Sequence, residues 1–146
     1  MNVTMMLCDG AQAIGGKLFI LGGGWSQLLF PDMPANMTLA VKLGVPWHEA
    51  NDPHRIVARL VTADGEAVTL PNPTEDGEPV VVAYEGTIET GRPPGLAPGT
   101  EIDAPFVLPF NGIALPAGAF VWELEVDGTV EARVPFRVGP VQRRNS

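Results

Sequence analysis

Cysteine is nearly absent. Cys8 is the only one, so no intramolecular disulfide and no cysteine-based zinc site can form. Serine is as scarce: Ser26 and Ser146 are the whole supply. A serine hydrolase therefore has little to draw on, and Cys8 sits in a strand-like stretch far in sequence from either histidine. Basic residues are few as well. Nine Lys and Arg face 17 Asp and Glu, a formal net charge of −8. Such a chain repels phosphate backbones and anionic lipid, so neither nucleic acid nor a membrane surface is an expected partner. No apolar run approaches the roughly 20 residues of a spanning helix. The first ten residues, MNVTMMLCDG, lack the basic start and apolar core of a signal peptide, so cytoplasmic synthesis without a cleavable signal is expected.

Glycine and proline are plentiful and dispersed. There are 17 and 15 of them in 146 residues, which marks many turns and disfavours long helices. Hydrophobic residues make up 45%, enough for the core of one ordinary domain, and no linker divides residues 1–146. Two-residue periodicity dominates. Met37, Leu39, Val41, Leu43 and Val45 alternate with smaller or polar residues, predicting a strand with one buried face. Ile56, Ala58 and Leu60 repeat the pattern before an Asp64-Gly65 turn. Val80 to Thr90 reads as one strand. Ile102 to Phe110 is extended and carries Pro105 and Pro109, which suits an edge. Phe120, Trp122, Leu124 and Val126 face one way; Asp127-Gly128 turns the chain; Val130 to Val138 returns, with Pro135 again arguing for an edge. Val3 to Cys8 and Lys17 to Leu21 are further strands, with Asp9 to Gly16 as the loop between. The sum is an all-β protein. We expect a single antiparallel β-sandwich, immunoglobulin-like in broad architecture, with about nine strands.

Four groups carry candidate chemistry. Gly22-Gly23-Gly24 is contiguous and is followed by Trp25, not by a helix or a Lys-Ser/Thr pair. It reads as a strand bend and not as a phosphate loop. His48, Glu49, Asp52 and His54 are the densest set of metal-ligand types, but their spacing matches no helical site and a polar loop accounts for them. Thr74 to Glu78 is acidic but lacks the alternation of a calcium loop. Trp25, Leu28, Leu29 and Phe30 form an apolar stretch beside the glycines, and Trp47 lies near a loop. These five residues are the expected partner-binding positions. No catalytic residue, metal site or cofactor is expected, and the protein is read as no enzyme.

Four blocks carry a resemblance: NVTMMLCDGAQAIGGKLFILGGGWS, LGVPWHEANDPHR, ETGRPPGLAPGTEIDAPF and LPAGAFVWELEVDG. Together they resemble a family of small uncharacterised β-sandwich proteins of actinobacteria and their phages. No catalytic residues come with that resemblance. It implies a non-catalytic structural or binding protein. In a phage this would be a virion component, a minor capsid or capsid decoration protein. It would dock on a major capsid protein or on itself as a homo-oligomer, by apolar burial and strand addition. The alternative is a stand-alone actinobacterial cytoplasmic sandwich. It would bind a small ligand or metal through Trp47, His48, Asp52 and His54.

Overall fold

The computed structural model describes residues 1–71 and 78–140. Thr74 to Gly77 of the acidic stretch, and Ser146, lie outside the described residues. Eleven strands are present: β1 (Asn2–Ile14), β2 (Lys17–Gly23), β3 (Gln27–Leu28), β4 (Ala35–Val45), β5 (His54–Thr62), β6 (Thr69–Leu70), β7 (Val80–Val81), β8 (Ala83–Ile88), β9 (Ile102–Ile113), β10 (Gly118–Val126) and β11 (Thr129–Val138). The only helical piece among the described residues is a 3-10 turn at Trp47–Glu49. One sheet runs β2-β1-β4-β9 and the other β3-β11-β10-β5-β8, with a small β6-β7 pair beside them. None closes into a barrel, and the fold is the sandwich the alternation predicts.

The two main sheets meet on their apolar faces. Leu7, Met37, Leu39, Val41 and Leu43 come from one, and Ile56, Leu60, Phe120, Trp122 and Leu124 from the other. Trp122 is fully buried at the centre. Its ring packs on Phe110 with centroids 4.3 Å apart, and its indole N–H donates to the Met37 sulfur at 3.4 Å. That contact satisfies a polar atom which burial would otherwise leave at a cost of about 1–3 kcal/mol.

The C-terminal hairpin follows its sequence pattern closely. Val126 pairs with Thr129 around Asp127 and Gly128, which hold φ of 51° and 86°. Those positive angles match the right-handed twist of a two-residue hairpin loop. Glu123 lies opposite Arg133 and accepts its Nε–H at 2.9 Å. Pro105 and Pro109 do fall on an edge, because among the described residues β9 pairs only with β4. Pro135 lies in a strand bordered on its far side only by the two-residue β3, which pairs in parallel with Arg137 and Val138.

Several expectations need correction. Among the described residues the strands number eleven and not nine, partly because Val80 to Thr90 divides: Val82 leaves the ladder and is buried, donating its N–H to the Val68 carbonyl. β4 is covered beyond its inward face, since Thr38, Ala40 and Gly44 on the second face are buried while Asn36 and Lys42 there stay exposed. It lies between β1 and β9, and Thr38, Ala40 and Gly44 are small enough to be shielded there. Asp9 to Gly16 is no loop. β1 continues to Ile14 and turns at Gly15-Gly16, whose φ of 59° and 75° make the tight hairpin.

Candidate interaction surface

The continuation of β1 creates a feature that the alternation rule did not reveal. β1 pairs with β4 from Asn2↔Gly44 to Cys8↔Thr38 and no further. It still pairs with β2 from Gly10↔Leu21 to Ile14↔Lys17. Residues 10–21 therefore form a two-stranded arm that extends past the end of the β1–β4 ladder. Leu18 to Leu21 is apolar at every position, a pattern normally found in a strand covered on both faces. Here Leu18 is half-buried and the other three are uncovered. Leu21 is 75% exposed, Ile14 58%, Phe19 56% and Ile20 38%. Gly10, Ala11, Gln12, Phe19, Ile20 and Leu21 line a shallow concavity of about 550 Å³ on the arm.

The glycine triplet forms the root of this arm. Gly22 has a φ of 57° and Gly24 of 84°, conformations that a side chain would strain. The Gly24 N–H donates to the Leu7 carbonyl at 2.8 Å, anchoring the bend to β1. At Gly23 a Cβ would meet Ile20 Cγ2 at 2.7 Å and Met6 Sδ at 2.8 Å, so these side chains approach because the position is bare. The triplet bends a strand, as its contiguity implied.

The five expected partner-binding residues separate. Trp25 and Leu28 are half-buried and pack against the core. Trp25 meets Phe136 edge to face at 6.1 Å, and its indole N–H is buried without a hydrogen-bond partner. β3 straps Leu28 to β11, and the Leu28 carbonyl accepts the Gly139 N–H at 2.7 Å. Leu29 and Phe30 point outward, 68% and 61% exposed. Trp47 is half-buried with Arg92 stacked on its ring, 4.8 Å from the centroid, while Arg92 also donates to the Trp47 carbonyl. The structure thus holds Trp25, Leu28 and Trp47 in packing contacts and leaves Leu29 and Phe30 free for contact.

The His48, Glu49, Asp52 and His54 set does not converge. His54 is buried, and both ring nitrogens are engaged. Nδ1 lies 2.7 Å from Asp127 Oδ2 and Nε2 lies 3.2 Å from the Glu49 carbonyl. Burial, the largest single influence, pulls the imidazole pKa down. The Asp127 hydrogen bond, the Glu49 carbonyl and the charges of both carboxylates outweigh it, so the pKa is raised. His54 in turn holds the Asp127 carboxyl below its ordinary value. Asp127 also accepts the Arg55 N–H at 2.9 Å, which fixes the β10–β11 turn to the start of β5. His54 thus serves as a structural clasp. His48 is exposed, 4.0 Å from Glu49 Oε1. With Trp47 it lines an open cleft of about 500 Å³ that Asp52 and His54 do not reach. Among the described residues, no three His, Cys, Asp or Glu side chains are placed to hold a metal ion.

Cys8 is fully buried and its thiol donates to the Thr38 carbonyl at 3.4 Å. Burial and the adjacent Asp9 push its pKa up, the opposite of an activated nucleophile. No helix among the described residues is long and apolar enough to cross a membrane.

The fold defines a two-sheet β-sandwich with a projecting hairpin. The chain belongs to DUF6941, a family of unknown function, which matches residues 3–139. None of the curated proteins compared with it matches.

Proposed function

We propose that this protein is a non-catalytic structural component that docks on a larger protein assembly through the β1–β2 arm. The observation that carries the reading is the exposed apolar run Phe19 to Leu21. Burying a side chain such as Leu21, Phe19 or Ile14 at an interface is worth about 1.5–3 kcal/mol. A chain that spends such residues on a projecting hairpin gains that energy only against a partner. Charge supports the reading too. Between Asp9 and Asp32 the only charged side chain is Lys17, in a chain of net charge −8. The arm is thus an approach with little negative charge to repel a partner. Leu29 and Phe30 supply a second, smaller apolar contact.

The resemblance to phage-associated sandwiches makes a virion the natural assembly, with this chain as a minor capsid or decoration protein. The test is co-sedimentation of the chain with particles from its native source on a density gradient. Wild type should travel with the heavy fraction. A Phe19→Asp, Leu21→Asp double variant with an unchanged circular dichroism spectrum should stay at the top. Wild type remaining at the top as well would overturn the proposal. Stoichiometric retention of a small ligand by the Trp47–His48 cleft would favour the alternative of a stand-alone binding protein.

A further inference from the structure

We infer that the partner of the β2 edge is a second copy of this chain, joined by antiparallel β2–β2 pairing across a two-fold axis at Ile20. The inference rests on reading the arm as the docking element and adds the identity and register of its first partner. β2 is the outermost strand of its sheet, so one of its edges is unpaired. In a hairpin with a two-residue turn the flanking pair, here Ile14↔Lys17, is hydrogen-bonded. Alternation then makes Gln12↔Phe19 hydrogen-bonded and Ala13↔Leu18 and Ala11↔Ile20 non-hydrogen-bonded. The backbone N–H and C=O groups of Leu18 and Ile20 therefore point away from β1, toward the open edge.

Among the described residues, no strand pairs with that edge. Edge strands ordinarily carry charge, proline or a covering segment. From Leu18 to Gly23 there is none of the first two, and no described residue pairs with the far side of β2. The strand is also its own complement. β2 spans Lys17 to Gly23, so Ile20 is its midpoint. A two-fold axis at Ile20 sets the outward-facing groups of Ile20 against those of its copy and Phe19 beside Leu21, and the extended overlap runs as far as the bend at Gly22, whose φ is 57°. Leu18 of each copy then faces Gly22 of the other, and Lys17 reaches that bend. The only charge that each strand brings arrives beside residues without side chains. Asp9, whose side chain lies against Gly22, is there to receive the ammonium. Two molecules of charge −8 meet where their charges are complementary. The paired arms would also set both Phe19 and both Leu21 side chains on one continuous platform for the assembly.

The register is tested by cysteine placement. Residues on the axis of a hydrogen-bonded antiparallel pair have Cα atoms about 5.5 Å apart, within disulfide range. Ile20→Cys should form a covalent dimer under mild oxidation at micromolar concentration. Ile14→Cys, at the arm's tip and off the axis, should not, and wild type should not, because Cys8 is buried. Leu18→Pro removes an outward N–H and should return a folded monomer in sedimentation velocity. Equal cross-linking at positions 14 and 20, or none at 20 with wild type monomeric at several hundred micromolar, would overturn the inference. If wild type is monomeric yet the Phe19→Asp, Leu21→Asp variant alone loses the particle, the docking arm stands and its edge takes a strand from a different protein.

Discussion

β2 and β9 close the same sheet on opposite sides, and they are built differently. β9 carries Pro105 and Pro109, which lack the N–H that an incoming strand would use, and Asp103, which pairs with Lys42 at 3.0 Å. Its inward residues Ile102, Ala104 and Leu108 are buried in the core. β2 has no proline, one charge at its first residue, and Phe19, Ile20 and Leu21 in solvent. One edge is closed to pairing and holds the fold together. The other is open and contributes little to the core. Apolar content alone therefore does not say what a strand is for. What matters is where its side chains are covered and what its free backbone faces.

Substitutions can widen or erase the contrast. The largest effect belongs to β9. Leu108→Ala should cost about 2–5 kcal/mol in denaturant unfolding while leaving association intact, because it opens a cavity in the core. At the root of the arm, Gly23→Val should cost about 1–3 kcal/mol, since a Cβ would press on Ile20 and Met6. Both of those neighbours are side-chain ends, so partial relief is expected, and the arm's angle should change with it. Association should fall more than stability does.

The His54–Asp127 clasp lies away from both edges and serves as an internal standard. His54→Gln should cost about 1–2 kcal/mol, discounted because Asp127 is half-exposed, with no effect on association. Its pH dependence has a defined sign. The raised His54 pKa gives stability that is complete below the ordinary histidine value of 6.5 and is lost as pH rises through the folded-state value. The lowered Asp127 pKa gives stability that is complete above the ordinary aspartate value of 3.8 and is lost as pH falls through the folded-state value. The clasp is therefore fullest between those two ordinary values. Wild type should lose part of its advantage over His54→Gln on going from pH 6 to pH 9, as chemical denaturation at each pH would show. The smallest effect on stability belongs to Leu21→Asp, within about 0.5 kcal/mol of wild type. Yet that variant should abolish association.

The contrast between the edges also marks where sequence reading succeeds. The β10–β11 hairpin was legible because Phe120, Trp122 and Leu124 alternate with Glu123 and Glu125, and Asp127-Gly128 names its own turn. The β9 edge was legible through its prolines. The arm was not. Ala11, Gln12 and Ala13 carry no alternation, so the end of β1 resembled a loop. Leu18 to Leu21 is apolar on both faces, which ordinarily signals burial. Its exposure follows from where β4 stops pairing, a long-range fact with no local sign. The Trp25 to Phe30 stretch failed for a related reason. β11 decides which of these residues turns inward, and the stretch has no periodicity of its own to show it. His54 and Asp127 are 73 residues apart, beyond any spacing motif, so the sequence places His54 only with His48, Glu49 and Asp52.

Amide hydrogen exchange at Leu18 and Ile20, followed as protein concentration rises, reports on the open edge of β2 itself. Both amides lie on the open side of β2, so in dilute protein they should exchange as fast as those of a free edge. Raising the concentration should slow both together, while Phe19 and Leu21, already bonded to β1, change little. Exchange at Leu18 and Ile20 that is already slow in dilute protein, or that stays fast at every concentration, would contradict the claim that this edge pairs between copies.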